Sequence, residues 1–138
     1  MHKLALHRTG YFILIVLSLV LSGCDGFVHV RGVVRNPAGK PVAGATIHVT
    51  DMTDYWYTQS DENGCFYASG TTAGTHSSEP LTVVASGYKN ASTKVRTSIA
   101  PKNQVIVILV PYDSPGGSRI QLLTPKDNKD LEACPVPK

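Results

Sequence analysis

The sequence predicts an all-β protein, a sandwich of about seven short strands. Three observations carry that prediction. Apolar and polar residues alternate with period two in several short runs, as in Val28-His29-Val30-Arg31 and Ala45-Thr46-Ile47-His48-Val49. Turn-forming clusters such as Asn36-Pro37-Ala38-Gly39 and Asp61-Glu62-Asn63-Gly64 punctuate those runs. Beyond the first two dozen residues the chain is rich in Gly, Pro, Ser, Thr and Val and holds no long apolar pattern at helical spacing.

The N-terminal segment is a targeting signal and stands apart from the fold. It opens with Lys3 and Arg8, continues in an apolar run from Tyr11 to Leu21 interrupted by Ser18, and meets Ser22-Gly23-Cys24. That run is about eleven residues, against roughly 20 for a helix that crosses a bilayer. The string Leu21-Ser22-Gly23-Cys24 resembles the lipobox of bacterial lipoproteins, an apolar residue and two small ones before the cysteine that is acylated. An ordinary secretory signal, or an uncleaved anchor with a chance cysteine, is the simpler alternative. Charge, apolar length, small residues and Cys24 together favour the lipoprotein. The resemblance implies a cleaved signal over residues 1–23 and two or three acyl chains on Cys24. Each buried CH₂ contributes about 0.8 kcal/mol, so attachment by several chains is effectively permanent. It also implies a cell-membrane location on the periplasmic or surface side, with Asp25 pointing to the inner membrane.

Removing residues 1–23 from the 138 leaves 115, enough for one compact domain and too few for two. Residues 24–27 then form the lipidated N-terminus, residues 28–111 the β domain and residues 112–138 a Pro/Gly-rich C-terminal tail. Lys3 and Arg8 leave with the signal, so the formal charge of +3 falls to +1, and nucleic acid is excluded as a partner on charge.

The strands follow in order. Phe27 to Val34 places Val28, Val30, Gly32 and Val34 on one face and His29 and Arg31 on the other. Asn36 to Gly39 carries the residue preferences of a type I turn. Val42 to Thr50 is the second strand, with Ala45, Ile47 and Val49 facing one way. Tyr55-Trp56-Tyr57-Thr58-Gln59 is an aromatic third strand, and the turn at Asp61 to Gly64 closes it into a hairpin with Cys65-Phe66-Tyr67. Ser69 to Glu79 reads as a loop of small polar residues. Leu81 to Ser86 is the next strand, Ser92 to Ile99 alternates more weakly, and Gln104 to Val110 is apolar enough to need cover on both faces. The sum is the pattern of an immunoglobulin-like sandwich. In the tail, Ile120 to Leu123 can lie against the last strand, and Asp127 to Glu132 has room for a short helix.

Cys65 and Cys134 remain after Cys24 is assigned. An oxidising compartment permits them to pair and pin the tail to the domain; the alternative is a thiol on a strand and another in a loose tail.

Several of these pieces resemble carboxypeptidase regulatory-like domains. The matches are Val30-Arg31-Gly32-Val33-Val34, Gly39-Lys40-Pro41-Val42-Ala43-Gly44-Ala45, Ser60-Asp61-Glu62-Asn63-Gly64-Cys65-Phe66, Leu81 to Gly87-Tyr88, and Val107 to Pro111. The resemblance implies a seven-stranded, transthyretin-like β-sandwich in which Gly32 and Gly44 allow close backbone approach and Phe66 and Tyr88 fill the core. Cys65 stands where the family usually has a basic residue. The tail after Pro111 lies outside the resemblance.

The resemblance implies support and binding, with no catalysis and no cofactor. His29 and His48 point outward on strands read as possible neighbours, with His76 in a loop, but the ligand spacing of a zinc site is missing. Asp51, Asp54, Asp61 and Glu62 lack the alternating carboxylates and central Gly of a calcium loop. Hydroxyisourate hydrolases of related fold end in Tyr-Arg-Gly-Ser, whereas this chain ends Cys134-Pro135-Val136-Pro137-Lys138, and the spacing offers no Tyr₂His₂ iron set of an intradiol dioxygenase. No Gly-x-Ser-x-Gly, Walker or His-Glu-x-x-His string occurs. The candidate binding residues are Tyr55, Trp56 and Tyr57, since Trp and Tyr are common anchors; the alternative places Trp56 in the core. The expected partners are the membrane and either an envelope protein or a glycan such as peptidoglycan. A subunit of a secretion machine is a further option without a sequence signature.

Overall fold

The computed structural model describes residues 26–49, 57–72, 78–97, 102–124 and 128–134. Two four-stranded sheets face each other, and no α-helix occurs among the described residues. The strands are β1 (Gly26–Arg35), β2 (Thr46–Val49), β3 (Tyr57–Gln59), β4 (Cys65–Thr72), β5 (Ser78–Val84), β6 (Ala91–Arg96), β7 (Lys102–Ile108) and β8 (Arg119–Leu122). The first sheet has the order β4-β1-β7-β8 and the second β3-β2-β5-β6. Every neighbouring pair is antiparallel except β1 and β7, which run parallel with Gly32 opposite Val105.

The core fills the space between the sheets and follows the alternation in the sequence. Val28, Val30 and Val34 of β1, Phe66 of β4 and Val105 and Val107 of β7 meet Ala45, Ile47, Leu81, Val83 and Val95 from the other side. Each fully buried Val, Leu or Ile contributes about 1.5–3 kcal/mol, so this layer dominates the stability. Gly32 sits in it because a Cβ there would lie 2.5 Å from the Phe66 ring and 2.6 Å from Val105. Tyr88 packs at the margin of the same cluster.

The turns act as read. The Gly39 amide donates to the Asn36 carbonyl at 2.9 Å, and Asn36 Oδ1 accepts from the amides of Ala38 and Lys40 at 3.0 Å.

Four expectations need correction. The second strand begins at Thr46, not Val42. Residues 42–45 are instead a tight turn in which Gly44 adopts φ +69 and its amide donates to the Ser60 carbonyl. Gly44 therefore serves backbone conformation and not close approach, since nothing lies within 4 Å of its Cβ position. Second, β3 and β4 do not form a hairpin. The turn at 61–64 crosses between sheets, with β3 paired to β2 and β4 paired to β1. Buried Ser60 fixes that crossing by donating to the Val42 carbonyl at 2.8 Å and accepting from the Ala45 amide at 2.9 Å.

Third, much of the expected 69–79 loop is strand, because β4 runs to Thr72 and β5 begins at Ser78. Backbone pairing with Gly26 to His29 supplies the ladder there without apolar alternation. Fourth, the tail adds an eighth strand: β8 pairs antiparallel with β7, Ile106 opposite Gln121. The short helix expected within Asp127 to Glu132 is present as a 3-10 helix, Asn128–Leu131.

Candidate functional site

The two outer faces of the sandwich are built differently. On the first sheet, alternation turns Val33, Cys65 and Ile106 away from the main core. Leu131 and Cys134 from the tail close over them, with Leu123 packed alongside, and Leu131 is fully buried. Cys65 and Cys134 are joined by a disulfide with Cα atoms 5.4 Å apart. Arg31 completes the strap: its Nη2 donates to the carbonyls of both Leu131 and Cys134. The Leu131 carbonyl also accepts from the Cys134 amide at 3.0 Å, so the guanidinium meets its second lone pair. A cleft of about 330 Å³ opens beside the disulfide, lined by Val33, Arg35, Gly39, Pro41, Asn63, Cys65, Ala133 and Cys134. Its lining offers one charged side chain and no base beside a nucleophile. Further along this face, His29 Nδ1 lies 2.9 Å from the Tyr67 hydroxyl and the two rings stack.

The outer face of the second sheet is open. A cross-strand row runs Tyr57, His48, Thr82, Ser92 through β3, β2, β5 and β6. The adjacent row is Gln59, Thr46 and Val84. Lys94 and Arg96 follow Ser92 at alternate positions along β6 and are exposed. Tyr57 is 61% exposed, and its ring is tilted 41° to that of His48 with centroids 6.2 Å apart. The Thr82 and Ser92 hydroxyls are 3.4 Å apart. The described residues of this face include no carboxylate.

Of the candidate binding residues, Tyr57 opens β3 on this face, whereas Tyr55 and Trp56 lie outside the described residues. Cys24 also lies outside them, as do Asp25, Asp51, Asp54 and His76. His29 and His48 are not on neighbouring strands: β1 and β2 belong to different sheets, so the two rings face opposite sides of the sandwich. Asp61 works within its turn, its Oδ1 accepting from the amides of Asn63 and Cys65. Among the described residues no group of three or more His, Cys, Asp or Glu is placed to hold a metal ion. No helix among them is long and apolar enough to cross a membrane.

Sequence reading missed Arg31 as the clamp of the tail, because its partners are backbone carbonyls about a hundred residues away. It also missed Lys94 and Arg96, although their alternation with Val95 is a usable signal that both share the outer face with Ser92.

No curated protein matches the chain. Solved structures do. A 3-chlorocatechol 1,2-dioxygenase from Rhodococcus opacus 1CP is 12% identical, with a TM-score of 0.43 over 74% of this chain and 59% of that one. A type II cohesin–X-dockerin complex from Acetivibrio cellulolyticus gives 14% identity and a TM-score of 0.40, over 57% of this chain and 51% of the other. A catechol 1,2-dioxygenase from Acinetobacter sp. ADP1, inhibited by bound mercury, gives 10% and 0.39, over 86% and 59%. The chain thus spans between half and three-fifths of the length of these structures. Residues 29–110 match the model of the carboxypeptidase regulatory-like domain, well over half of the chain. With the two-sheet sandwich in place across that span, the chain belongs to the carboxypeptidase regulatory-like domain family.

Proposed function

We propose that this protein is a lipoprotein, held to the cell membrane by acyl chains on Cys24, whose β-sandwich is a non-catalytic binding or accessory module in the cell envelope. The observation that carries the binding role is the contrast between the two outer faces. The first sheet is strapped over by the protein's own tail, while the second presents Tyr57 beside His48 on an open surface. A lone exposed aromatic needs no explanation, but this one heads a row of hydrogen-bonding side chains across four strands.

The anchor is supported by the Leu21-Ser22-Gly23-Cys24 string and by the start of β1 at Gly26, two residues after the cysteine. Such a short connection holds the sandwich close to the bilayer. Asp25 favours the inner membrane, facing the periplasm. The partner is an envelope protein or glycan.

Membrane fractionation of the wild type and of Cys24→Ala tests the anchor. The wild type is expected in the membrane fraction and resistant to high salt, with Cys24→Ala released from it. Unchanged membrane partition of Cys24→Ala, with no acyl mass on the wild type, would overturn the proposal.

A further inference from the structure

We propose that the open face of the second sheet binds an extended, carboxylate-bearing polysaccharide. This rests on the binding-module reading above and names its ligand class.

Strand spacing sets the scale. Neighbouring strands lie about 4.8 Å apart, so the row from Tyr57 to Ser92 spans about 14 Å, and the diagonal from Tyr57 to Arg96 about 20 Å. Hydrogen-bonding side chains therefore recur across the sheet at close to the length of one sugar unit in an extended chain. His48, Thr82 and Ser92 occupy successive strands of that row. Tyr57 offers a ring face at one corner, exposed and steadied by the His48 ring. An aromatic ring with a polar tip suits the mixed apolar and hydroxylated surface of a pyranose. At the opposite corner stand Lys94 and Arg96, with no carboxylate among the described residues of the face. Two cations beyond Ser92 along β6, opposite Pro80 and Ser78, complement an acidic sugar chain better than a neutral one.

The same face is poorly made for a protein partner. Protein interfaces have an apolar centre of several large side chains, and here Tyr57 and Val84 are the large apolar residues exposed on the described face.

The test uses the full acylated protein in detergent micelles, with polygalacturonate as probe and its methyl-esterified form as the uncharged counterpart. Retention on polygalacturonate is expected, with binding to the ester weaker by about tenfold. Tyr57→Ala is expected to weaken binding by about tenfold, the loss typical of a truncated anchor. A double Lys94→Gln, Arg96→Gln variant is expected to weaken it similarly, while Lys40→Gln, a cation on the remote turn after β1, leaves it unchanged. All the substituted side chains are exposed, and unchanged far-UV spectra verify folding.

No retention, equal retention on the ester, or binding that ignores Tyr57→Ala and falls with Lys40→Gln would each overturn the inference. Acyl mass on the same preparation separates the two proposals. An acylated protein that does not bind refutes the ligand class alone, whereas an unacylated one refutes the anchor whatever it binds.

Discussion

Cutting the Cys65–Cys134 bridge asks what holds the C-terminal strap to the first sheet. Ordering the seven residues 128–134 costs about 1–2 kcal/mol each, so roughly 7–14 kcal/mol in total. Burying Leu131 returns about 1.5–3 kcal/mol. The two Arg31 bonds to the Leu131 and Cys134 carbonyls return about 1.5–3 kcal/mol each. The non-covalent return of about 4.5–9 kcal/mol falls below most of that cost range, so the strap should detach once the bridge is gone. The bridge also closes a loop of 69 residues, which in the chain-entropy model stabilises the fold by about 4 kcal/mol. Because a detached strap regains its own freedom, the expected loss on reduction is about 2–4 kcal/mol. Urea unfolding with and without a dithiol reductant, alongside Cys134→Ser, measures that loss. Trypsin should then cut at Lys129 while the sandwich keeps its β spectrum. A reduced protein with an unchanged midpoint and a tail still protected from trypsin would refute the reasoning.

Three further substitutions probe the fold. Gly32→Ala should destabilise the domain by about 1–3 kcal/mol through overpacking against Phe66 and Val105, read by urea melts. Restoration of stability in Gly32→Ala with Phe66→Leu would confirm the clash as the cause. Ser60→Ala should cost about 1–3 kcal/mol, because the Ala45 amide and Val42 carbonyl lose a buried partner; a thermal midpoint equal to wild type would contradict this. Arg31→Met should free the strap only partly, raising amide exchange at Leu131 while leaving the bridge closed. Unaltered exchange there would show that the guanidinium contributes nothing.

Much of the sandwich was legible because burial on one face writes itself as alternation. Val28, Val30 and Val34, and likewise Ala45, Ile47 and Val49, are buried in the core the alternation pointed to. Turn chemistry was equally direct at Asn36 to Gly39. Sheet membership was not legible. A turn such as Asp61 to Gly64 has the same local hydrogen bonds whether it closes a hairpin or carries the chain between sheets, and Ser60, which decides the matter, does so through partners fifteen and eighteen residues away. Ser69 to Thr72 was missed because an edge strand paired through its backbone needs no apolar pattern.

The site was legible in part. Tyr57 was singled out for its residue type, but the row it heads exists only once β3, β2, β5 and β6 are ordered side by side. The cysteines show the same limit. Nothing in the local sequence brings Cys134 to Cys65. The tail returns through β8, three strands from the β4 strand of Cys65, and residues 128–134 lie back over the sheet under the hold of Arg31.

The most direct test of the membrane-anchored account is the intact mass of the protein extracted from cell membranes. The account predicts a chain beginning at Cys24 and carrying two or three acyl groups. An unmodified mass, or one that still includes residues 1–23, would contradict it.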